Sequence, residues 1–168
     1  MRGRGFSSIE FFAAAVIGMI LTVVAVAGYR VYQRQMPVKF TAQRLVHGFS
    51  AARAFAVAHN SYFTLQLDLG HRTFWIDQVD ATGAPVAPKV VNPEMLDEKV
   101  AVEGVQFGQN PPPPNIIVPI RFFPDGSSDD VHIFLRMKAD NAAADANIFT
   151  VRLYGPTGMS RLFENRRL

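Results

Sequence analysis

The feature that most restricts this chain is an uncharged stretch near its start. From Phe11 to Tyr29 run nineteen residues without a charge, and Thr22 is the one clear polar side chain among them. As a helix rising ~1.5 Å per residue, this run reaches roughly 28 Å, about the thickness of a bilayer's hydrocarbon core. A carboxylate, Glu10, stands at its mouth, with Arg2 and Arg4 before it and Arg30 after it. The arginines ahead of the run predict an N-terminus on the cytoplasmic side, with the bulk of the chain beyond the membrane.

Three readings fit this stretch. It can be a plain anchor. It can be a removable secretory signal, since Ala25-Val26-Ala27 has the small-x-small look of a signal peptidase site and would leave Gly28 as the new start. Third, the join Arg4-Gly5-Phe6-Ser7-Ser8-Ile9-Glu10 resembles the class III leader of type IV pilins and pseudopilins. That resemblance implies cleavage after Gly5 by a prepilin peptidase, N-methylation of Phe6 as the new terminus, and Glu10 as the fifth mature residue. A buried ionised carboxylate costs about 2.5–3.5 kcal/mol on insertion scales, so Glu10 asks for a partner. In the family that partner is the free amine of the neighbouring subunit. Two departures stand out: Ser7 and Ser8 occupy positions where Thr and Leu are common. Ala27-Gly28 lies where many major pilins bend at a Pro, the first Pro here being Pro37.

The length, 168 residues, accommodates one domain plus an anchor. The absence of cysteine excludes a disulfide framework and a thiolate metal site. Net charge is +3, but loss of Arg2 and Arg4 with a leader brings Lys plus Arg from 17 to 15 against 14 acids. Global charge therefore gives no argument for nucleic acid.

Beyond the apolar run the helical period persists but becomes one-sided. Val38, Ala42, Leu45, Phe49, Ala52 and Ala56 recur at steps of four and three, a stripe that predicts a docking face. Lys39, Gln43, Arg44 and Arg53 are expected to face water. Pro37 predicts a kink or short break, and Asn60-Ser61 the helix end. From Tyr62 the period becomes two, giving a strand, a turn at Gly70-His71-Arg72, and a return strand over Thr73–Val79. Asp80–Pro93, with four Gly and Pro residues, reads mostly as loop with a short extended piece. Further strands are expected over Lys99–Phe107 with a bulge at Gly104, Ile116–Phe123 at a sheet edge because of Pro119, Val131–Met137, Ile148–Tyr154 and Met159–Phe163. Pro111–Pro114 reads as a stiff connector and Lys138–Asn147 as a loop.

The order of these pieces sharpens the resemblance. Ala52-Arg53-Ala54-Phe55-Ala56 on a helix is followed by a hairpin with a Trp, an Arg-Phe-Phe-Pro-Asp-Gly-Ser turn and a Gly-Pro-Thr-Gly turn. This looks like the H-type minor pseudopilins of type II secretion and the T-type fimbrial minor pilins. The expected fold is α+β: leader 1–5, transmembrane segment 6–29, amphipathic continuation 30–61 packed on an antiparallel sheet or sandwich head, 62–168.

No catalytic pattern emerges: there is no His-Glu-x-x-His pair, no Gly-x-Ser-x-Gly elbow and no phosphate-binding glycine loop. An enzyme is not expected, nor a cofactor or a metal. His47, His59, His71 and His132 share no ligand spacing. Asp125, Asp129 and Asp130 could gather on calcium but lack a recognised loop spacing, so a solvated turn is preferred. Arg161, Arg166 and Arg167 could pair with phosphate in a DNA-uptake pilin, yet Glu164 sits among them and a solvated tail is preferred. The resemblance implies a structural subunit of a type II secretion pseudopilus or a type IV pilus. Glu10 would set axial register, and Ala14 and Gly18 would let neighbouring helices approach in the lipid. Expected partners are other pilins, the prepilin peptidase, inner-membrane lipid and a secreted cargo, with the head periplasmic. The rival is a conventionally secreted or anchored β-rich protein.

Overall fold

A computed structural model describes residues 8–108, 116–138 and 148–164. The chain divides into two compact units, Met1–Met36 and Pro37–Leu168. A single helix, α1 (Ser8–His59), runs from the first unit into the second, with Pro37 inside it. Eight strands follow: β1 (Tyr62–Asp68), β2 (Thr73–Val79), β3 (Pro85–Met95), β4 (Val100–Phe107), β5 (Ile117–Phe122), β6 (Val131–Met137), β7 (Phe149–Tyr154) and β8 (Met159–Glu164).

The strands form two antiparallel sheets, ordered β3-β2-β1-β5 and β4-β6-β7-β8. Their inner faces and the second half of α1 share one core. All six stripe residues, Val38, Ala42, Leu45, Phe49, Ala52 and Ala56, are buried within it. They meet Phe63, Leu65, Leu67, Phe74, Ile76, Val118, Ile120 and Phe122 from the first sheet. From the second come Val105, Val131, Ile133, Leu135, Phe149, Val151 and Leu153. Phe49 and Phe122 set their rings 6.1 Å apart, an aromatic contact that adds to simple area burial. Gly48 marks the helix's close approach to the first sheet: a Cβ there would lie 2.8 Å from the Phe74 ring and 3.2 Å from Leu65 Cδ1.

The helix stops where expected, and by a definable device. Asn60 adopts the left-handed conformation, φ 47°. The Ser61 amide donates to the Ala56 carbonyl at 3.2 Å, and the Asn60 amide to Val57 at 3.4 Å. Those are the two bonds of a Schellman cap, satisfying carbonyls the helix leaves over.

Two expectations are corrected. The stretch Asp80–Pro93, read mostly as loop, contains most of β3, an eleven-residue strand. Its prolines are tolerated because β3 is an edge strand, needing ladder bonds on one side, and its register against β2 shifts three times. Arg53, expected in water, is half-buried, for reasons given below. Pro119 does sit on an edge strand, β5, opposite Gln66. Gly104 does mark a bulge, the β4–β6 register skipping between Val102 and Gly104.

Candidate assembly surface

In the first unit, the helix exposes apolar side chains on every side. Phe11, Phe12, Val16, Ile17, Met19, Ile20, Leu21, Val23, Val24 and Val26 are all largely exposed, with Met19 the most open at 73% and Val26 the least at 46%. These positions circle the helix axis, so no single packing face accounts for them. Ala14 and Gly18 fall one turn apart on one side and are exposed; a Cβ built at Gly18 would meet nothing within 4 Å. Between Phe11 and Val26 the one hydroxyl is bonded to its own helix: Thr22 Oγ1 donates to the Gly18 carbonyl at 2.7 Å. A hydroxyl satisfied by its own helix suits surroundings that offer no water.

Gly5 and Phe6, the Glu10 side chain, and Arg166 and Arg167 lie outside the described residues. The anchor expected over 6–29 includes Ala27, whose side chain lies outside them too, and among the described residues no helix is long and apolar enough to cross a membrane. Arg161 is on β8, exposed, directly opposite Arg152 on β7.

The second unit fixes its helix through Arg53. Arg53 Nε donates to the Gly126 carbonyl at 3.1 Å. Gly126 belongs to the Pro124-Asp125-Gly126-Ser127 turn, through which the chain passes from β5 in one sheet to β6 in the other. Within that turn Asp125 Oδ1 accepts from the Ser127 amide at 2.9 Å and its hydroxyl at 2.6 Å, which hold the carboxyl below its ordinary pKa, the hydroxyl contributing most. Gly158, in the β7–β8 turn at φ 59°, lies against the same place: a Cβ there would collide with the Gly126 carbonyl and sit 2.9 Å from Arg53 Cδ. One further bond, from the Ser128 amide to the Gly155 carbonyl at 2.8 Å, ties the two turns together. Helix, crossover and closing hairpin thus meet at one point.

The three acids considered for calcium go separate ways. Asp125 serves its own turn. Asp129 is gripped by Arg121, whose Nη2 lies 3.0 Å from Oδ1 and Nε 3.2 Å from Oδ2, raising the Arg121 pKa. Asp130 precedes β6, near enough to His132 for its charge to act on that ring. His71, at the first hairpin, sets Nδ1 2.8 Å from Asp68 Oδ2.

Sequence reasoning missed two features. A groove of about 540 Å³ opens between α1 and the β3–β4 connection, with Phe40 and Met95 exposed on its walls and Arg44, Asp97, Glu98 and Lys99 around them. Its signal was a phenylalanine off the buried stripe. The other is a polar patch on the second sheet's outer face, whose members become neighbours only once the strand order is known.

The architecture is that of the pilin-like α+β proteins: an N-terminal helix laid on antiparallel sheets. The minor pseudopilin EpsH from the type 2 secretion system of Vibrio cholerae shares it at a TM-score of 0.59, with 14% identity over 79% of this chain and 99% of that one. The type IV minor pilin FimU of Pseudomonas aeruginosa shares it at 0.57, with 12% identity over 81% of this chain and 95% of that one. No family profile matches the sequence, and no curated protein gives a match.

Proposed function

We propose that this chain is a minor subunit of a pilin-type filament, either a type II secretion pseudopilus or a type IV pilus, with a structural and not a catalytic role. The observation that carries this is the unshared apolar surface of Phe11–Val26. A helix apolar all round needs lipid or other helices about it, and a filament core supplies both in turn. The shared fold with a pseudopilin and a minor pilin supports the same reading.

In this scheme a prepilin peptidase cuts after Gly5, and Phe6 becomes an N-methylated terminus. The subunit waits as a single-pass inner-membrane protein with its N-terminus cytoplasmic and its head periplasmic. Glu10 then pairs with the new amine of an adjacent subunit and sets the axial register. Ala14 and Gly18 allow close approach of helices. Extraction from lipid requires work from a separate motor.

Mass spectrometry of the mature N-terminus tests this: the expected species starts at Phe6 and carries one added methyl. A start at Gly28 means conventional secretion and overturns the proposal. Glu10→Ala is expected to abolish incorporation into filaments while leaving the head folded; unchanged incorporation would remove the register mechanism.

A further inference from the structure

At the end of the head where α1 gives way to β1, two openings share a pair of aromatic rings. Tyr62, at the start of β1, and Phe123, just beyond β5, meet edge to face, their centroids 6.1 Å apart and their planes at 86°. Both line a cavity of about 460 Å³ together with Pro124, Asp125 and Ser127. Both also line a smaller cavity of about 70 Å³, bordered by Val79, Asp80, Gly83 and Arg121. Tyr62 and Asp125 are exposed, and Phe123 and Ser127 half-buried, so the larger cavity is open to solvent.

Its walls are set before anything binds. The Phe123 amide donates to the Ser127 carbonyl and the Gly126 amide to the Phe123 carbonyl, each at 2.9 Å, which closes the turn. Arg53 holds the same turn to the helix through the Gly126 carbonyl. A surface fixed in this way loses little conformational freedom when a ligand arrives.

The chemistry of the larger cavity is one-sided. Two rings and a proline supply apolar surface, and the ring faces are electron-rich. Among the lining residues the one formal charge is that of Asp125. The guanidinium groups on the surrounding elements are engaged elsewhere, Arg121 with Asp129 and Arg53 with the Gly126 carbonyl. Asp125 receives the Ser127 amide and hydroxyl on Oδ1 alone, so among the described residues Oδ2 has no donor. The Ser127 hydroxyl, its proton given to Asp125, is left to accept, and the Tyr62 hydroxyl can accept as well.

Such a lining repels anions and offers its oxygens singly. A guanidinium gains most where a carboxylate takes both arms of its fork, and here Oδ1 is already occupied. A lysine ammonium is a compact charge with three donors on an apolar stem, which suits single acceptors beside aromatic rings. We propose that this end of the head binds a lysine side chain of a partner polypeptide, the ammonium at Asp125 and the stem against Tyr62 and Phe123. The smaller cavity, on the same ring pair, takes a small apolar side chain of the same segment, so the ligand is a polypeptide and not a free amine. The inference does not depend on the filament reading and stands or falls apart from it.

The test is an NMR titration of the isotope-labelled full chain in micelles of an uncharged detergent at low salt, following backbone amide signals. The probes are acetyl-Ala-Lys-Ala-amide, the same tripeptide with norleucine or arginine at its centre, and n-butylammonium chloride. Saturable shifts are expected at Tyr62, Phe123 and Ser127. The lysine peptide is expected to bind at least about fivefold tighter than the norleucine peptide, the scale of an exposed ion pair plus a cation–π contact. Asp125→Asn keeps an acceptor for Ser127 and should cut that preference to about twofold or less. Tyr62→Leu should weaken the lysine peptide about threefold. Equal binding of the lysine and norleucine peptides, or a preference unchanged in Asp125→Asn, overturns the proposal. Tighter binding of the arginine peptide overturns the assignment to an ammonium, and n-butylammonium binding as tightly as the lysine peptide overturns the polypeptide partner. Shifts centred on Phe40 and Met95 would move the contact to the other groove and overturn it too.

Discussion

One helix carries two apolar stretches with opposite fates. The stripe residues Val38, Ala42, Leu45, Phe49, Ala52 and Ala56 are buried to 1% exposure or less, whereas between Phe11 and Val26 none of the large apolar residues falls below 46%. Both stretches contain Ala, Val and Phe, but the second also carries Lys39, Gln43, Arg44 and Arg53, and the two differ in how their apolar residues are distributed around the helix. The second stretch gathers its apolar residues on one face, with Lys39, Gln43 and Arg44 on the other, so the chain's own sheets can cover it. The first has apolar residues at every angle, and one sheet face cannot enclose a cylinder. A segment of that kind is folded as a helix but finished only by a partner.

The sharpest way to break this contrast is to shorten one side chain in each stretch. Phe49→Ala removes a fully buried ring in contact with Phe122. It is expected to cost about 3–5 kcal/mol in chemical unfolding of the head, from lost transfer energy plus the cavity left behind. Ile17→Ala, at 58% exposure, is expected to change the same measurement by less than about 0.5 kcal/mol. Equal losses would mean that Ile17 contributes to the folded core as much as Phe49 does.

The next largest effect should run the other way. Ile17→Asp places a charge in the middle of the first stretch and should oppose membrane insertion by about 2.5–3.5 kcal/mol. Fractionation of cells should move the protein from membrane to soluble fraction while the unfolding midpoint of the head stays put. A variant that remains in the membrane fraction would refute the lipid-facing role proposed for Phe11–Val26.

How much of this was legible beforehand follows the same division. The stripe from Val38 to Ala56 was readable because helical period needs no knowledge of neighbours. The bounds of β2 and β6 were readable from alternation and turn chemistry, as was the edge position of β5 from Pro119. β3 was not, because prolines that forbid a central strand are harmless at an edge, and edge status is a property of the whole sheet. Thr64 and Asp68, which alternate along β1 with the apolar Phe63, Leu65 and Leu67, are buried too, at 3% and 6%. The bond from Arg53 to Gly126 joins residues 73 apart in sequence, and nothing local announces it. The row of His132, Arg152 and Arg161 depends on strand order in the same way. At the N-terminus, the roles of Gly5, Phe6 and Glu10 rest on motif and charge alone and belong to the proposed function.

The junction at Arg53 offers a smaller perturbation that sharpens the contrast, since it concerns how the covered stretch is held. Gly158→Ala forces a Cβ against the Gly126 carbonyl at a left-handed φ of 59°. Relieving the collision must move the turn, Arg53, or both, and a cost of about 1–3 kcal/mol is expected in head stability. Arg53→Met keeps the aliphatic reach but drops the hydrogen bond to Gly126, with an expected loss of about 1–2 kcal/mol. Because a Cβ at position 158 would lie 2.9 Å from Arg53 Cδ, the double variant should lose less than the sum of the singles. Strict additivity would show that they act on separate parts of the structure.

The smallest effect is a pH dependence confined to the head. Asp68 Oδ1 accepts from the Gly70 amide at 2.8 Å and the His71 amide at 2.9 Å, while Oδ2 faces the His71 ring. These bonds favour the ionised carboxylate, with the His71 amide contributing most, and lower the Asp68 pKa from its ordinary 3.8. An acid whose folded pKa lies below its unfolded one adds stability that is fully present above the unfolded value and is lost as pH falls through the folded one. Head stability is therefore expected to decline as pH drops below about 4, and Asp68→Asn should flatten part of that decline. The amide keeps an acceptor for the backbone donors but has no charge to titrate, so neutral-pH stability should fall for the variant while its acid slope becomes shallower. Urea unfolding of both proteins between neutral pH and about pH 3 reads the difference; parallel curves would show that the hairpin turn is held by geometry alone, without help from the carboxylate charge.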